Sequence, residues 1–154
     1  MIPIHLLLVD DEQGFVEALA RRLVSRGYQV DYVLSGEEAL RFLDENQSVD
    51  VVLLDVKMPG LDGMETLRCI KAMQPLLETI MLTAYATVAT AVEAMRIGAR
   101  DYLMKPCDIL ELIAKIEAAV QRKRERESKI FDVRTRPYIT VREKEELIAA
   151  ILAM

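Results

Sequence analysis

Val51-Val52-Leu53-Leu54-Asp55-Val56-Lys57-Met58-Pro59-Gly60 opens with four apolar residues, then breaks into an acid, a base and a Met-Pro-Gly turn. An apolar run without polar alternation reads as a strand buried on both faces, as in a parallel sheet. Asp55 then stands at the carboxyl end of a buried strand, where open α/β sheets place their chemistry. An idle charge in such a place is costly, which favours a working role over a mere turn residue.

Outward from this strand the chain keeps one rhythm. Leu6 to Val9 is a short apolar run ending in Asp10, Asp11 and Glu12, and predicts a first strand. Phe15, Val16, Leu19, Leu23 and Val24 fall at helical spacing, with Gly27 as the stop. Tyr28 to Val33 alternates and predicts a second strand, and Ser35-Gly36-Glu37-Glu38 matches a capping box opening a helix through Ala39, Leu40 and Leu43. Beyond the turn, Met64 to Met73 predicts a third helix, Thr79 to Leu82 a fourth strand ending at Thr83, and Val88 to Ile97 a fourth helix closed by Gly98. Asp101 to Met104 predicts a fifth strand ending at Lys105-Pro106, after which Asp108 caps a helix with Ile109, Leu112, Ile113, Ile116 and Val120 on one face. Strands alternating with helices in this way predict an α/β fold, a doubly wound five-stranded parallel sheet with right-handed crossovers and helices on both faces.

The 154 residues carry a net charge of −5 and 52% are hydrophobic, enough for a core between two helix layers. That acidity argues against a mainly nucleic-acid-binding chain, whose footprint is basic. The run Arg122, Lys123, Arg124, Arg126 and Lys129 is interleaved with Glu125 and Glu127 and reads as a solvated helix end, so no direct nucleic-acid contact is expected. Cys69 and Cys107 lack C-x-x-C spacing, which disfavours zinc and suits free thiols in a reducing cytoplasm. The opening Met1 to Val9 is short and runs into acids, so neither a signal peptide nor a membrane span is expected. His5 has no partner ligands in the sequence and reads as structural.

Past about residue 121 the rhythm stops. Residues 121–129 show no apolar face, 131–140 with Pro137 read as an irregular connector, and 141–154 form an amphipathic helix with Leu147, Ile148, Ile151 and Leu152 on one side. The expected division is a main domain over residues 1–122 and a C-terminal helical extension over 123–154. The final apolar stripe either docks on its own domain or meets a second copy.

Polar residues recur at the predicted strand ends: Asp10 and Asp11, Asp55, Thr83 and Lys105. In a parallel sheet these ends share one edge, so residues distant in sequence converge. Like charges about 4 Å apart repel by roughly 4 kcal/mol at an effective dielectric near 20. A carboxylate cluster therefore calls for a raised pKa or a cation, and an oxygen donor set without His or Cys favours Mg²⁺ or Mn²⁺. Asp55 could then act as a nucleophile toward phosphorus, forming an aspartyl-phosphate, with Lys105 and the Thr83 hydroxyl stabilising the phosphoryl oxygens. Small Ala84 leaves room for the donor.

Taken together, Asp10-Asp11, Asp55-Val-Lys-Met-Pro, Gly63, Thr83-Ala84 and Lys105-Pro106 resemble the receiver domain of two-component response regulators over residues 4–122. The resemblance implies a flavodoxin-like receiver fold with strand order 2-1-3-4-5, a cis Lys105-Pro106 bond, and Asp55 as phosphoacceptor. It also implies Mg²⁺ on Asp10, Asp11, Asp55 and the backbone carbonyl of Lys57. A histidine kinase or phosphotransfer protein would supply the phosphoryl group. Tyr102 would serve as the aromatic switch that follows Thr83, and the face of the fourth helix, fifth strand and fifth helix would be the output or homodimer surface toward a downstream protein. Residues 85–105 most resemble receivers attached to enhancer-binding transcription regulators, so the chain is expected to be either a stand-alone receiver or part of a longer regulator. Lys57 and Tyr85 occupy positions that tune phosphate lifetime in the family; neither can orient an attacking water, which predicts slow self-dephosphorylation. A phosphatase of the haloacid-dehalogenase type would need an acid where Lys57 stands, and a phosphorylation-independent adaptor would not need the intact set of site residues.

Overall fold

The computed structural model describes residues 2–154. Its order is β1 (His5–Val9), α1 (Gln13–Val24), β2 (Gln29–Val33), α2 (Gly36–Glu45), β3 (Val51–Leu54), α3 (Gly63–Met73), β4 (Glu78–Thr83), α4 (Val88–Ile97), β5 (Asp101–Met104), α5 (Ile109–Thr135) and α6 (Val141–Leu152). The strands form one sheet in the order β2-β1-β3-β4-β5, every neighbouring pair parallel, as the resemblance implied. The apolar run Val51 to Leu54 is thus the central strand.

Alternation along each strand divides the core in two. Leu6, Leu8, Val51, Leu53, Ile80 and Leu82 face one layer, where they pack with Val16, Leu19 and Leu23 of α1 and Leu112, Ile116 and Val120 of α5. Leu7, Val9, Val52, Leu54 and Met81 face the other, against Ala39 and Leu43 of α2, Leu67 and Ile70 of α3 and Ala94 of α4. Four residues in a row are apolar because both sides of β3 are covered.

Strand starts differ from the expectation. β1 begins at His5 and β4 at Glu78, both buried polar residues that a search for apolar runs passes over. His5 lies between Asp31, 2.7 Å from Nε2, and Ser48, 3.0 Å from Nδ1. β2 starts at Gln29 because the Tyr28 amide donates to the Leu23 carbonyl, closing the turn after α1. Ser35 caps α2 as predicted, but Glu38 accepts from the amide of Leu34 rather than completing the box on Ser35.

The tail departs furthest. Residues 121–135 continue α5 without a break across the boundary expected after residue 122, and the irregular connector shrinks to residues 136–140. Arg126, Ile130 and Val133 are buried on the same helical stripe as Ile116, Ala119 and Val120. The stripe was hidden in the sequence because an arginine fills one of its positions. Arg126 is not solvated: Nη1 lies 3.2 Å from Glu78 Oε1, and Nη2 donates to the Leu152 carbonyl at 2.8 Å. Arg136, ahead of Pro137, leaves the helical region, as a residue before proline tends to do. Thr140 and Glu143 then form a capping box that starts α6. Ile151 packs on Ile130 and Val133, with Ile148 and Leu152 alongside, so the final stripe docks on its own chain except for Leu147, which stays exposed. Among the described residues, no helix is long and apolar enough to cross a membrane.

Candidate functional site

The register places the site. Val9 pairs with Leu54, and the Asp55 amide donates to the Val9 carbonyl at 3.0 Å, so Asp10 and Asp55 emerge side by side at the carboxyl edge of the two central strands. Asp10, Asp11 and Asp55 each offer an oxygen within 4.8 Å of the others. Asp10 and Asp55 are buried while Asp11 is exposed, so the cluster opens to solvent on one side. The turn after β3 is held down by Gly63, whose amide donates to the Val56 carbonyl at 2.9 Å. A Cβ at Gly63 would lie 2.1 Å from the Asp55 carbonyl oxygen, so the close approach of two backbones excludes any side chain there.

Lys105 enters from the end of β5, followed by a cis bond to Pro106. Its Nζ lies 2.5 Å from Asp10 Oδ2, 3.6 Å from Glu12 Oε1 and 3.8 Å from Asp55 Oδ2, and 4.0 Å from the centre of the Phe15 ring. Burial alone would depress Lys105, but Asp10, Asp55 and Glu12 outweigh it and hold its pKa above the usual lysine value. Burial pushes the Asp10 carboxyl above the ordinary aspartate value, against the opposing hydrogen bonds from Lys105 and the Glu12 amide, and the Asp55 charge pushes the same way. Three carboxylates thus share one lysine. All-oxygen donors this close, one of them exposed, fit a small hard divalent cation that keeps part of its water shell.

Thr83, at the end of β4, is fully buried, and its Oγ1 accepts from the Tyr85 amide at 3.0 Å, leaving its own proton to donate. Tyr102 on β5 is half-buried, with its hydroxyl 2.6 Å from Thr90 Oγ1 in the first turn of α4. Lys57 places Nζ 4.5 Å from the centre of the Tyr85 ring, so the two lifetime positions touch across the mouth of the site. The Lys57 amide makes only a long 3.5 Å contact to Asp55 Oδ1.

The sequence-derived set is therefore brought to one sheet edge, with Tyr102 one step removed. Sequence reading missed a second polar cluster at the opposite edge. Buried Glu78 is held there by Arg122 at 2.6 Å and Arg126 at 3.2 Å. The four-residue spacing of the two arginines, in line with the α5 stripe, was the available clue.

Comparison with known proteins agrees with this geometry. Residues 6–117 match the model of the response regulator receiver domain. Over 117 residues the chain is 44% identical to the transcriptional regulatory protein ZraR of Escherichia coli (strain K12), covering 76% of this chain and 26% of that protein. The chain thus spans about a quarter of the length of this relative. Among solved structures, a response regulator receiver domain protein from Clostridium thermocellum superposes with a TM-score of 0.75 at 38% identity, over 79% of this chain and 97% of that one. A structure described as adenylate cyclase from Rhodopirellula baltica gives a TM-score of 0.81 at 29% identity, over 88% of this chain and 100% of that one. With the fold, the strand order and the matched family in agreement, the chain belongs to the receiver domains of two-component response regulators.

Proposed function

We propose that Asp55 accepts a phosphoryl group from a histidine kinase or phosphotransfer protein and that the resulting aspartyl-phosphate switches contacts with a downstream protein. The observation that carries this reading is the convergence of Asp10, Asp11, Asp55 and Lys105 within one cluster. In the transfer, a carboxylate oxygen of Asp55 forms the new bond to phosphorus while the bond to the donor's nitrogen breaks and its electron pair leaves with the imidazole. Lys105 stands near enough to reach the phosphoryl oxygens, and Thr83 holds a free hydroxyl proton for one of them. Asp10, Asp11, Asp55 and the Lys57 carbonyl would hold Mg²⁺, or Mn²⁺, which when bound offsets negative charge on the acids and the transferring group. The chain would act on no other substrate.

Once Thr83 turns toward the phosphate, Tyr102 is the connected part, since its hydroxyl ties β5 to the start of α4. The surface this moves carries exposed Val88, Val92, Met95, Met104 and Leu110, a face suited to a protein partner or a second copy. A cytoplasmic place follows from the proposed donor. The 1–122 unit would carry the switch, with the continuation of α5 and α6 passing its output onward.

Incubation with acetyl phosphate and Mg²⁺, followed by intact-mass measurement, tests the reading. The wild type should gain one phosphoryl group and Asp55→Asn none; an equal gain on Asp55→Asn would overturn it. Because Lys57 and Tyr85 pack on each other and present no carboxylate or amide to an attacking water, the adduct should last minutes or longer, and decay within seconds would refute that part.

A further inference from the structure

At the edge of the sheet opposite Asp55, a cavity of about 470 Å³ opens between the C-terminal ends of α3, α4 and α6 and the middle of α5. Lys71, Arg96, Arg100, Arg122 and Arg126 line it, and among the described residues no acidic side chain does. Glu78 lies beneath, holding Arg122 and Arg126 through a single oxygen, Oε1. Five cations against Glu78 and the α-carboxylate of Met154, which also lines the cavity, leave most of the positive charge uncompensated. Arg96 and Arg100 are exposed and have no ion pair among the described residues.

A second observation points to a ligand. Arg126 is 4% exposed, and its Nε has no hydrogen-bond partner although its two terminal nitrogens are used. A guanidinium donor buried without an acceptor is costly, so Arg126 is held at this edge with its charge and hydrogen bonding only partly met. Burial also depresses the pKa of Lys71; Glu78 opposes this, and Arg126 and Arg122 add to it. An anion in the cavity would offset the positive charge of both groups. The remaining walls, Met95, Ile97 and Leu152 among them, are apolar and suit an organic group beside the charged one. The volume falls in the range of small-molecule sites, roughly 300–1,000 Å³.

We propose that this cavity binds a small polyphosphate anion, of the nucleoside di- or triphosphate class or its inorganic counterpart, gripped by Arg96, Arg100, Arg122 and Arg126. Bound there, it touches α4 and both helices of the tail, so it would tie the α6 extension to the fourth helix without entering the acidic site. The reading is independent of phosphorylation at Asp55.

Calorimetric titration of the full chain with ATP and with tripolyphosphate, in EDTA so that no metal bridges the ligand to the aspartates, tests it. Saturable one-to-one binding is expected. Arg100→Gln should weaken it about tenfold and Arg96→Gln/Arg100→Gln about a hundredfold, since each removes a charge-assisted contact. Arg124→Gln, an exposed cation of α5 outside the cavity, should leave it unchanged, as should Asp55→Asn. Tighter binding of ATP than of tripolyphosphate would assign the nucleotide, and equal binding the inorganic ion. A chain carried past Met154 by a neutral Gly-Ser stretch removes its own α-carboxylate from the cavity wall and should bind at least as well. Absence of saturable binding at millimolar ligand, or an equal loss in Arg124→Gln, would overturn the proposal. Acetyl phosphate labelling of the arginine variants should match wild type, showing that the fold is intact.

Discussion

The two edges of the sheet solve the same electrostatic problem with opposite signs. At the carboxyl edge, Asp10, Asp11 and Asp55 surround one lysine, and the acids are in excess. At the amino edge of β4, buried Glu78 sits beneath Arg122 and Arg126, with Lys71 near, and the cations are in excess. The first cluster opens to solvent through exposed Asp11 and keeps its charge available for a ligand. In the second, the Glu78 carboxylate is closed off at 0% exposure and joins three elements, β4, α5 and, through the Arg126 contact to Leu152, α6. The Glu78–arginine pairing acts as a strut, and the cations left over above it keep charge for a ligand, as the surplus acids do at the other edge.

The largest effect that separates the two should come from Glu78→Gln. It leaves Arg126 buried without its counter-charge and Arg122 without its 2.6 Å partner. Loss of one member of a buried pair costs about 3–5 kcal/mol, so urea unfolding should show a drop of that order. Acetyl phosphate labelling of whatever fraction stays folded should be unaffected. If stability changed by less than about 1 kcal/mol, well below that range, the strut would not be one.

Lys105→Met addresses the other edge and should act the other way round. Lys105 is the cation within 3.8 Å of the Asp55 carboxylate, so its loss should slow labelling about a hundredfold, the usual scale for a single charge-stabilising donor. The final mass should still show one phosphoryl group, because Asp55 is intact. An unchanged rate would mean that Lys105 only balances the resting acids. Comparing stopped-flow labelling rates with urea midpoints for the two variants would place each edge on its own axis.

The carboxyl edge was legible in the sequence and the amino edge was not, and the reason is physical. Strand ends announce themselves: an apolar run stops, and the residue that follows is fixed by register, so Asp10, Asp55, Thr83 and Lys105 align from the sequence alone. Gly63 entered only through the family resemblance, and the fold supplies its reason, a backbone packed on that of Asp55 and Val56. Glu78 and His5 stand at strand starts, where a buried polar residue looks like the loop before it. Arg126 conceals its burial further, since its partner Glu78 is 48 residues away and nothing in the local pattern reports the pairing. The charged look of residues 121–129 arose because the positions that turn in toward Glu78, 122 and 126, are both arginines. That misread shortened α5, turned its last turns into a connector, and left the docking of α6 undecided.

The smallest effect concerns Lys71. Burial lowers its pKa in the fold, with Arg126 and Arg122 adding to the shift and Glu78 opposing it. Below its folded pKa the side chain is charged in both states and that charge is disfavoured in the fold. Between the lowered folded value and the ordinary value of 10.5, the unfolded chain binds more protons, so this group's contribution to stability rises with pH. Lys71→Met removes the penalty. At neutral pH the variant should therefore be slightly more stable than wild type, apart from the hydrogen bond from Nζ to the Leu77 carbonyl, and the gap should narrow as pH rises toward 10.5. Thermal melts in EDTA across that range check it. A gap that stays constant would show that Lys71 carries no charge penalty, and the cation excess at this edge would then lie with the arginines alone. Repeating the melts with tripolyphosphate sharpens the contrast further. An anion in the cavity should raise the Lys71 pKa again and shrink the advantage of the variant at neutral pH.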